Sequence, residues 1–154
     1  MNQYGTWYVE PKYDGTRAFL IQREGHLTVL HRSGKDRTNR YPELAEITFG
    51  EDLVLDGEIA VLDHNGVTDF NRIQRRQTDT PSKALIEGLP VKYYVFDILS
   101  LAGEEVTRQP FTERRLLLEE VIQSHPHLHP EVCLTPQVQV ETPNQIQTVF
   151  DVTV

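Results

Sequence analysis

Eight residues near the amino terminus, Glu10-Pro11-Lys12-Tyr13-Asp14-Gly15-Thr16-Arg17, hold the chain's densest set of groups able to do chemistry. Pro11 keeps Glu10 extended, and strand alternation then puts Glu10 and Lys12 on the same side of a strand end. Gly15 permits a tight return, which brings Arg17 back beside the lysine on the next strand. A free lysine, with a pKa of about 10.4, is neutral in roughly one molecule in a few thousand at pH 7. To act as a nucleophile it needs nearby positive charge, a metal ion or desolvation. Arg17 supplies positive charge, Glu10 and Asp14 oppose it, and magnesium brought in with a substrate would tip the balance. The alternative reading of the same residues is a surface hairpin whose charges pair with one another.

Three further stretches carry groups that can bind or stack. Leu30-His31-Arg32-Ser33-Gly34-Lys35-Asp36-Arg37-Thr38 is a basic turn. Arg32, Lys35, Arg37 and Arg40 form one positive cluster, and Arg72, Arg75 and Arg76 form another; as charge alone, each reads as a solvated face. In Leu55-Asp56-Gly57-Glu58-Ile59, alternation places Asp56 and Glu58 on one strand face and Leu53 and Leu55 on the other. A carboxylate there can meet a sugar hydroxyl or a divalent ion. Tyr93-Tyr94-Val95-Phe96-Asp97-Ile98-Leu99 is aromatic and β-branched, and by residue type alone Phe96 is a core ring. His125, His127 and His129 alternate, but Pro126 and Pro130 break the shared face that metal ligation uses. Cys133 stands alone, which rules out an internal disulfide, suits a reducing cytosol and reads as a small buried hydrophobe.

The elements that must position these residues are short. Strands over residues 7–10, 18–21 and 27–30, separated by Asp14-Gly15 and Glu24-Gly25, predict a meander of hairpins. A short helix follows Tyr41-Pro42, using Leu44, Ala45 and Ile47. Residues 53–62 read as a strand pair or bent strand ending at the Asn65-Gly66 turn, and Asp69 caps a helix over 70–77. Residues 78–88 read as a loop and 93–99 as a strand. Thr112 is the expected N-cap of the best helix, with Phe111 and Leu116 as its hydrophobic staple. Leu117 with Val121, and Leu118 with Ile122, form its buried stripe. A strand over 133–140 and a helix begun by Thr142-Pro143 close the chain. The class is α+β, with antiparallel-rich sheets and packed helices.

With 154 residues, 38% of them hydrophobic, the chain can bury one core. Its 15 basic and 23 acidic residues give a net charge of -8, which excludes a surface wholly devoted to nucleic acid but leaves room for a local basic strip. No apolar run approaches the roughly 20 residues a membrane span needs, and the start lacks the basic and apolar regions of a secretory signal. The expected location is cytoplasmic, with no membrane partner.

Lys-x-Asp-Gly-x-Arg preceded by an acidic residue resembles the nucleotidyl-acceptor motif of the superfamily of ATP-dependent DNA ligases, RNA ligases and mRNA capping enzymes. The stretches around Arg32, Glu58 and Phe96 resemble the later ligase motifs, in the same order. Gln109-Pro110-Phe111-Thr112-Glu113-Arg114-Arg115 is similar to the segment that follows them. The likeness covers nearly the whole chain and is strongest to ligase domains of bacterial end-joining enzymes and their archaeal relatives. It implies an ATP-grasp-like nucleotidyltransferase core, incomplete at the C-terminus: residues 1–154 as a partial adenylation domain, with the OB-fold domain absent. It also implies Lys12 as the nucleophile toward the α-phosphate of ATP. Glu10, Tyr13, Arg17, Arg32, Glu58 and Phe96 would be nucleotide-binding, with Phe96 stacked on adenine and Glu58 also a ligand of Mg2+. In the complete enzyme AMP would pass to the 5′-phosphate of nicked double-stranded DNA.

The family pattern also has a Glu-Gly strand that binds metal and a Lys-x-Lys strand that contacts the α-phosphate. The lysines here are Lys12, Lys35, Lys83 and Lys92, so the phosphate-binding pair is not within these residues. Glu87-Gly88 has the spacing of the metal motif but the wrong order, and Pro90 follows it. The expectation is a truncated chain that alone binds ATP weakly and adenylates poorly, completed by an OB-fold domain or repair partners. Two rival readings are an RNA ligase or capping-type enzyme, and a non-catalytic remnant that binds nucleotide or a partner.

Overall fold

The structure, a computed structural model, describes residues 6–126, 130–142 and 144–147. In chain order its elements are β1 (Trp7–Val9), β2 (Thr16–Arg23), β3 (His26–His31), α1 (Pro42–Ala45), β4 (Leu53–Val61) and α2 (Phe70–Thr78). They continue with α3 (Lys83–Gly88), β5 (Val91–Leu101), β6 (Glu104–Glu105), α4 (Phe111–Gln123), β7 (Val132–Leu134) and β8 (Val138–Val140). Residues 13–134 form one unit; the segments up to residue 12 and from residue 135 form another.

In the larger unit a sheet runs β3-β2-β4-β5-β6, with β7 added parallel to β5. The β2–β3 hairpin closes through Glu24 and Gly25, both at positive φ (49° and 80°), the left-handed pair a two-residue turn requires. Asp52 accepts the Glu24 amide at 2.8 Å and holds the non-glycine residue there. Period-two alternation buries Leu20, Val29, Leu55, Val95 and their neighbours on one sheet face. That face is covered by α1 against β3, α2 against β4 and α4 against β5, with Leu44, Ile73 and Leu118 fully buried.

β4 lies at the centre and depends on a missing side chain. Tyr93, fully buried, aims its hydroxyl at the carbonyls of Ala18 (3.0 Å) and Leu55 (3.1 Å). Its ring lies against Gly57, where a Cβ would come within 2.6 Å of both the Tyr93 ring and the Tyr94 carbonyl oxygen. Any larger residue must displace backbone at the middle of the sheet.

Several expectations change. β1 does not return onto β2 in a hairpin; it pairs antiparallel with β8, Trp7 opposite Val140. The strand expected over 133–140 is two strands, because Pro136 interrupts the ladder and β7 joins β5 while β8 joins β1. Residues 83–88, read as loop, are helix α3, capped by Ser82, whose hydroxyl accepts the Leu85 amide at 3.2 Å. So short a helix needs only Leu85 inward, too few apolar residues to show a period. Helix α4 starts at Phe111 with Pro110 at the cap position. Thr112 therefore lies inside the first turn, and Leu116 is 66% exposed rather than stapled. Leu118 and Val121 are buried, with Leu117 and Ile122 packed beside them.

Cys133 is half-buried rather than sealed in the core. Asp69 caps α2 as expected, accepting the Asn71 and Arg72 amides. Residues 144–147 are helical; Pro143, His127 and His129 lie outside the described residues.

The second basic cluster is divided: Arg75 is exposed and Arg72 half-buried, as a solvated face requires, but Arg76 points inward. Arg76 is fully buried and donates to the Leu89 carbonyl (3.0 Å), the Arg40 carbonyl (2.9 Å) and the Glu43 carboxylate (2.9 Å). Arg40 in turn donates to the Asp79 carbonyl at the end of α2 (2.7 Å). Both cations serve the packing of α1 and α2.

Replacing Gly57 by alanine is expected to cost about 1–3 kcal/mol or more, as overpacking against rigid backbone does. Urea unfolding would show this as a lower midpoint at unchanged slope. Wild-type stability in that variant would contradict the close contact with Tyr93.

Candidate functional site

On the larger unit, Gly15, Thr16, Arg17, His31, Arg32, Ser33 and Glu58 line a cleft of about 710 Å³. All but Glu58, which lies within β4, come from a strand end or the turn beside it. Thr16 and Arg17 begin β2, His31 ends β3, and Arg17 sits directly opposite Glu58 on β4. The Arg32 amide donates to the Arg17 carbonyl (3.3 Å), tying the basic turn to β2.

Gly15 is needed for clearance. A Cβ there would overlap the Ile59 carbonyl oxygen and come within 2.9 Å of Glu58 Cγ. Its φ is not left-handed, so the expected tight return is not what demands glycine. The Asp14 amide donates to Thr68 Oγ1 (2.9 Å) and fixes the approach.

Arg17 grips Asp56 in a two-pronged ion pair, Nε to Oδ1 at 3.0 Å and Nη2 to Oδ2 at 2.5 Å. Asp56 is only 3% exposed, and its hydrogen bond holds the guanidinium pKa above the ordinary value. The positive charge expected of Arg17 is thus matched by a carboxylate. Arg32 makes no side-chain hydrogen bond or ion pair with the described residues, so its charge is available to a ligand.

Phe96 owes its position to a β-bulge. Asp56 pairs with Asp97 and Gly57 with Val95, which leaves Phe96 as the extra residue of β5. A bulge re-aims a side chain off the strict alternation, and Phe96 and Asp97 are accordingly both half-buried. The Arg17 guanidinium lies 5.7 Å from the Phe96 ring centroid. Asp97 is clamped by Arg114 of α4, Nε to Oδ1 at 2.9 Å and Nη2 to Oδ2 at 2.8 Å, and it also accepts the Ile98 amide. The helix therefore secures the bulge.

The remaining expected residues lie elsewhere. The Tyr13 ring stacks on Tyr94 with centroids 3.8 Å apart. In the smaller unit, Glu10 accepts a hydrogen bond from Gln137 Nε2 at 2.6 Å. Lys12 is exposed and is the last residue of that unit before Tyr13. Arg17, Arg32 and Glu58 share one cleft with Phe96 beside Arg17. The sequence reading assigned no role to Thr16, His31 or Ser33. The signal that could have found them was adjacency in sequence to Arg17 and Arg32.

His31 is 9% exposed, and its ring lies 5.9 Å from that of the fully buried Tyr41. Tyr41 Oη and His31 Nε2 are 3.4 Å apart. Burial, and then the charge of Arg37, hold the imidazole pKa below its ordinary 6.5. Among the described residues no cluster of three or more His, Cys, Asp or Glu could hold a metal. The single carboxylate lining the cleft is that of Glu58.

The fold is that of the nucleotidyltransferase domain of ATP-dependent ligases. The ligase domain of Mycobacterium tuberculosis LigD superposes with a TM-score of 0.72 at 27% identity, over 95% of this chain and 45% of that one. A mycobacterial DNA ligase D complexed with ATP gives 0.69 at 28% identity, over 86% and 40%. The DNA ligase of Pyrobaculum calidifontis is 34% identical over 125 residues, 77% of this chain and 21% of the relative. The family model described as ATP dependent DNA ligase domain matches residues 1–154, and the chain belongs to that family. It spans about a fifth of the length of the Pyrobaculum ligase.

Two outcomes follow from this geometry. Asp56→Ala strips Arg17 of its partner; the expected loss is about 1–2 kcal/mol, the low end for a charged hydrogen bond because Arg17 is half exposed. Denaturant unfolding measures it, and no loss would mean the pair does not stabilise the fold. His31 resists a proton that the unfolded chain accepts, so its contribution to stability is whole above about pH 6.5 and is lost as pH falls through its lowered pKa. Melting temperatures from pH 7 to pH 5 should fall more steeply for the wild type than for His31→Asn. Equal slopes would show that His31 does not titrate in this way.

Proposed function

We propose that this chain is the front part of an ATP-dependent DNA ligase's adenylation domain, with Lys12 as its nucleophile. The convergence of Arg17, Arg32 and Glu58 on one cleft, in a chain of this family, carries the reading. The neutral Lys12 amine attacks the α-phosphorus of ATP, and the bond to pyrophosphate breaks. AMP is then held on Nζ as a phosphoramidate. In the complete enzyme AMP moves to the 5′-phosphate of nicked double-stranded DNA, and the neighbouring 3′-hydroxyl displaces it.

Arg32, unpaired in the cleft, steers and holds phosphate oxygens. Glu58 meets the ribose, and it fits Mg2+, which takes one or two protein carboxylates beside substrate phosphates. Mg2+ bound there would neutralise phosphate charge as the leaving group departs. Phe96 presents its ring to adenine, while Glu10 and Tyr13 complete the nucleotide contacts. Among the described residues no helix is long and apolar enough to cross a membrane, consistent with the cytoplasmic location proposed for the enzyme. Residues 1–154 are a partial adenylation domain in this reading, and an OB-fold domain or repair partners complete it.

The lysines that contact the α-phosphate in the family are not within these residues, so the chain by itself should adenylate slowly and not seal nicks. Incubation with α-labelled ATP and Mg2+ should yield an acid-labile protein adduct, absent in Lys12→Ala and not formed with GTP. If no adduct appears even at high protein concentration, catalysis by this chain is refuted while its family membership stands.

A further inference from the structure

The segment that joins Lys12 to β2 is pinned at three successive residues. The Tyr13 ring lies nearly parallel to the Tyr94 ring, with centroids 3.8 Å apart and planes 13° from coplanar. The Asp14 amide donates to Thr68 Oγ1 at 2.9 Å. Gly15 lies so close to β4 that a Cβ would meet the Ile59 carbonyl oxygen at 2.3 Å and Glu58 Cγ at 2.9 Å. Of these contacts, the stack is the one that acts on the residue bonded directly to Lys12.

Tyr94 occupies a defined place on the sheet. It stands directly opposite Glu58 of β4, and Glu58 stands opposite Arg17 of β2. Side chains directly opposite one another leave a sheet on the same face. Arg17, Glu58 and Tyr94 therefore form a row across three strands, on the face turned away from buried Ala18 and Val95. Arg17 and Glu58 line the cleft, and Tyr94 is the next residue along the row. On its other side β5 pairs with β7, Cys133 opposite Tyr94, so the backbone beneath the ring is held from both edges. The incoming segment follows the same row, with Gly15 beside Glu58 and Tyr13 on Tyr94. Both tyrosines are half-buried, whereas Lys12 is exposed.

A lysine side chain turns about several bonds, and attack requires its amine within about 3–3.5 Å of the phosphorus and in line with the leaving group. Backbone freedom next to the lysine adds to the entropy lost on reaching that geometry. An anchored neighbour removes part of this loss before any ligand arrives.

We propose that Tyr94 is a positioning residue for the Lys12 nucleophile: stacked on Tyr13, it fixes the residue to which Lys12 is bonded. This rests on Lys12 being the nucleophile. Tyr94 need not touch the nucleotide, and the stack uses its ring rather than its hydroxyl.

Reaction of the 154-residue chain with α-labelled ATP and Mg2+ tests it, in wild type, Tyr94→Phe and Tyr94→Leu. Phenylalanine keeps the ring, and leucine keeps apolar bulk without it. Tyr94→Leu should lose about tenfold in the maximal rate of adduct formation at Lys12, since an aromatic pair is worth up to about that factor beyond its burial. The ATP concentration giving half the maximal rate should not change. Tyr94→Phe should keep the wild-type rate. Amide hydrogen exchange followed by NMR gives a readout free of ATP. In Tyr94→Leu the Asp14 amide should exchange about tenfold faster, while β4 and β5 keep their protection. Melting curves identify a temperature at which all three proteins are folded, and both measurements are made there. A wild-type rate in Tyr94→Leu, a higher ATP requirement at unchanged maximal rate, or protection lost evenly through the sheet overturns the proposal and leaves Lys12 as the nucleophile. If the wild type forms no adduct, the nucleophile reading fails for this chain, and this inference with it.

Discussion

Asp56 is a charged group at the centre of a sheet, almost wholly removed from water. An unpaired carboxylate in such a place costs several kcal/mol, and the two-pronged grip of Arg17 removes that penalty. The pair therefore constrains more than its own strength suggests. It sets β2 against β4 so that Arg17 faces Glu58 across the ladder, brings the guanidinium over Phe96 and leaves Glu58 at the rim. The cleft is what remains open once this internal charge has been satisfied.

Two glycines give the arrangement its room. Gly57 lets the Tyr93 ring reach carbonyls of β4 and of β2 beyond it, and Gly15 lets the segment after Lys12 lie against β4 beside Glu58. Neither is there for a left-handed backbone; each is a place where a methyl group would meet backbone atoms. The bulge at Phe96 works in the other sense, adding a residue so that an aromatic ring and Asp97 depart from the alternation. The Asp97–Arg114 clamp ties that irregularity to α4, so a helix far along the chain helps hold a ring beside the cleft.

The charges divide into two kinds once packing is known. Arg76 binds carbonyls and a carboxylate in the interior, and Arg40 ties the end of α2 from the surface. Arg32 and Lys35 stay exposed on the turn after β3. For a chain with a net charge of -8, Arg32 gives the cleft a local positive charge that can attract a phosphate-bearing ligand without the whole surface being basic.

The amino-acid sequence by itself determined the family, through the order of the lysine motif, the basic turn, the Asp-Gly-Glu strand and the Phe-Asp strand. It also determined most strands and the Asp69 cap, because alternation and capping are set by near neighbours. It could not tell which cations are spent inside the fold, since Arg17 and Asp56 are 39 positions apart and Arg76 meets Arg40 across 36. Nor could it show α3, the partners of β1 and β8, the bulge at Phe96, or His31 at the cleft. A six-residue helix has no period to read, strand partners are chosen by the packing of distant segments, and a bulge breaks the very alternation from which strands are recognised. The lysine motif identifies the chemistry of this family. Which groups around the cleft remain free to act is decided only when strands far apart in sequence are brought side by side.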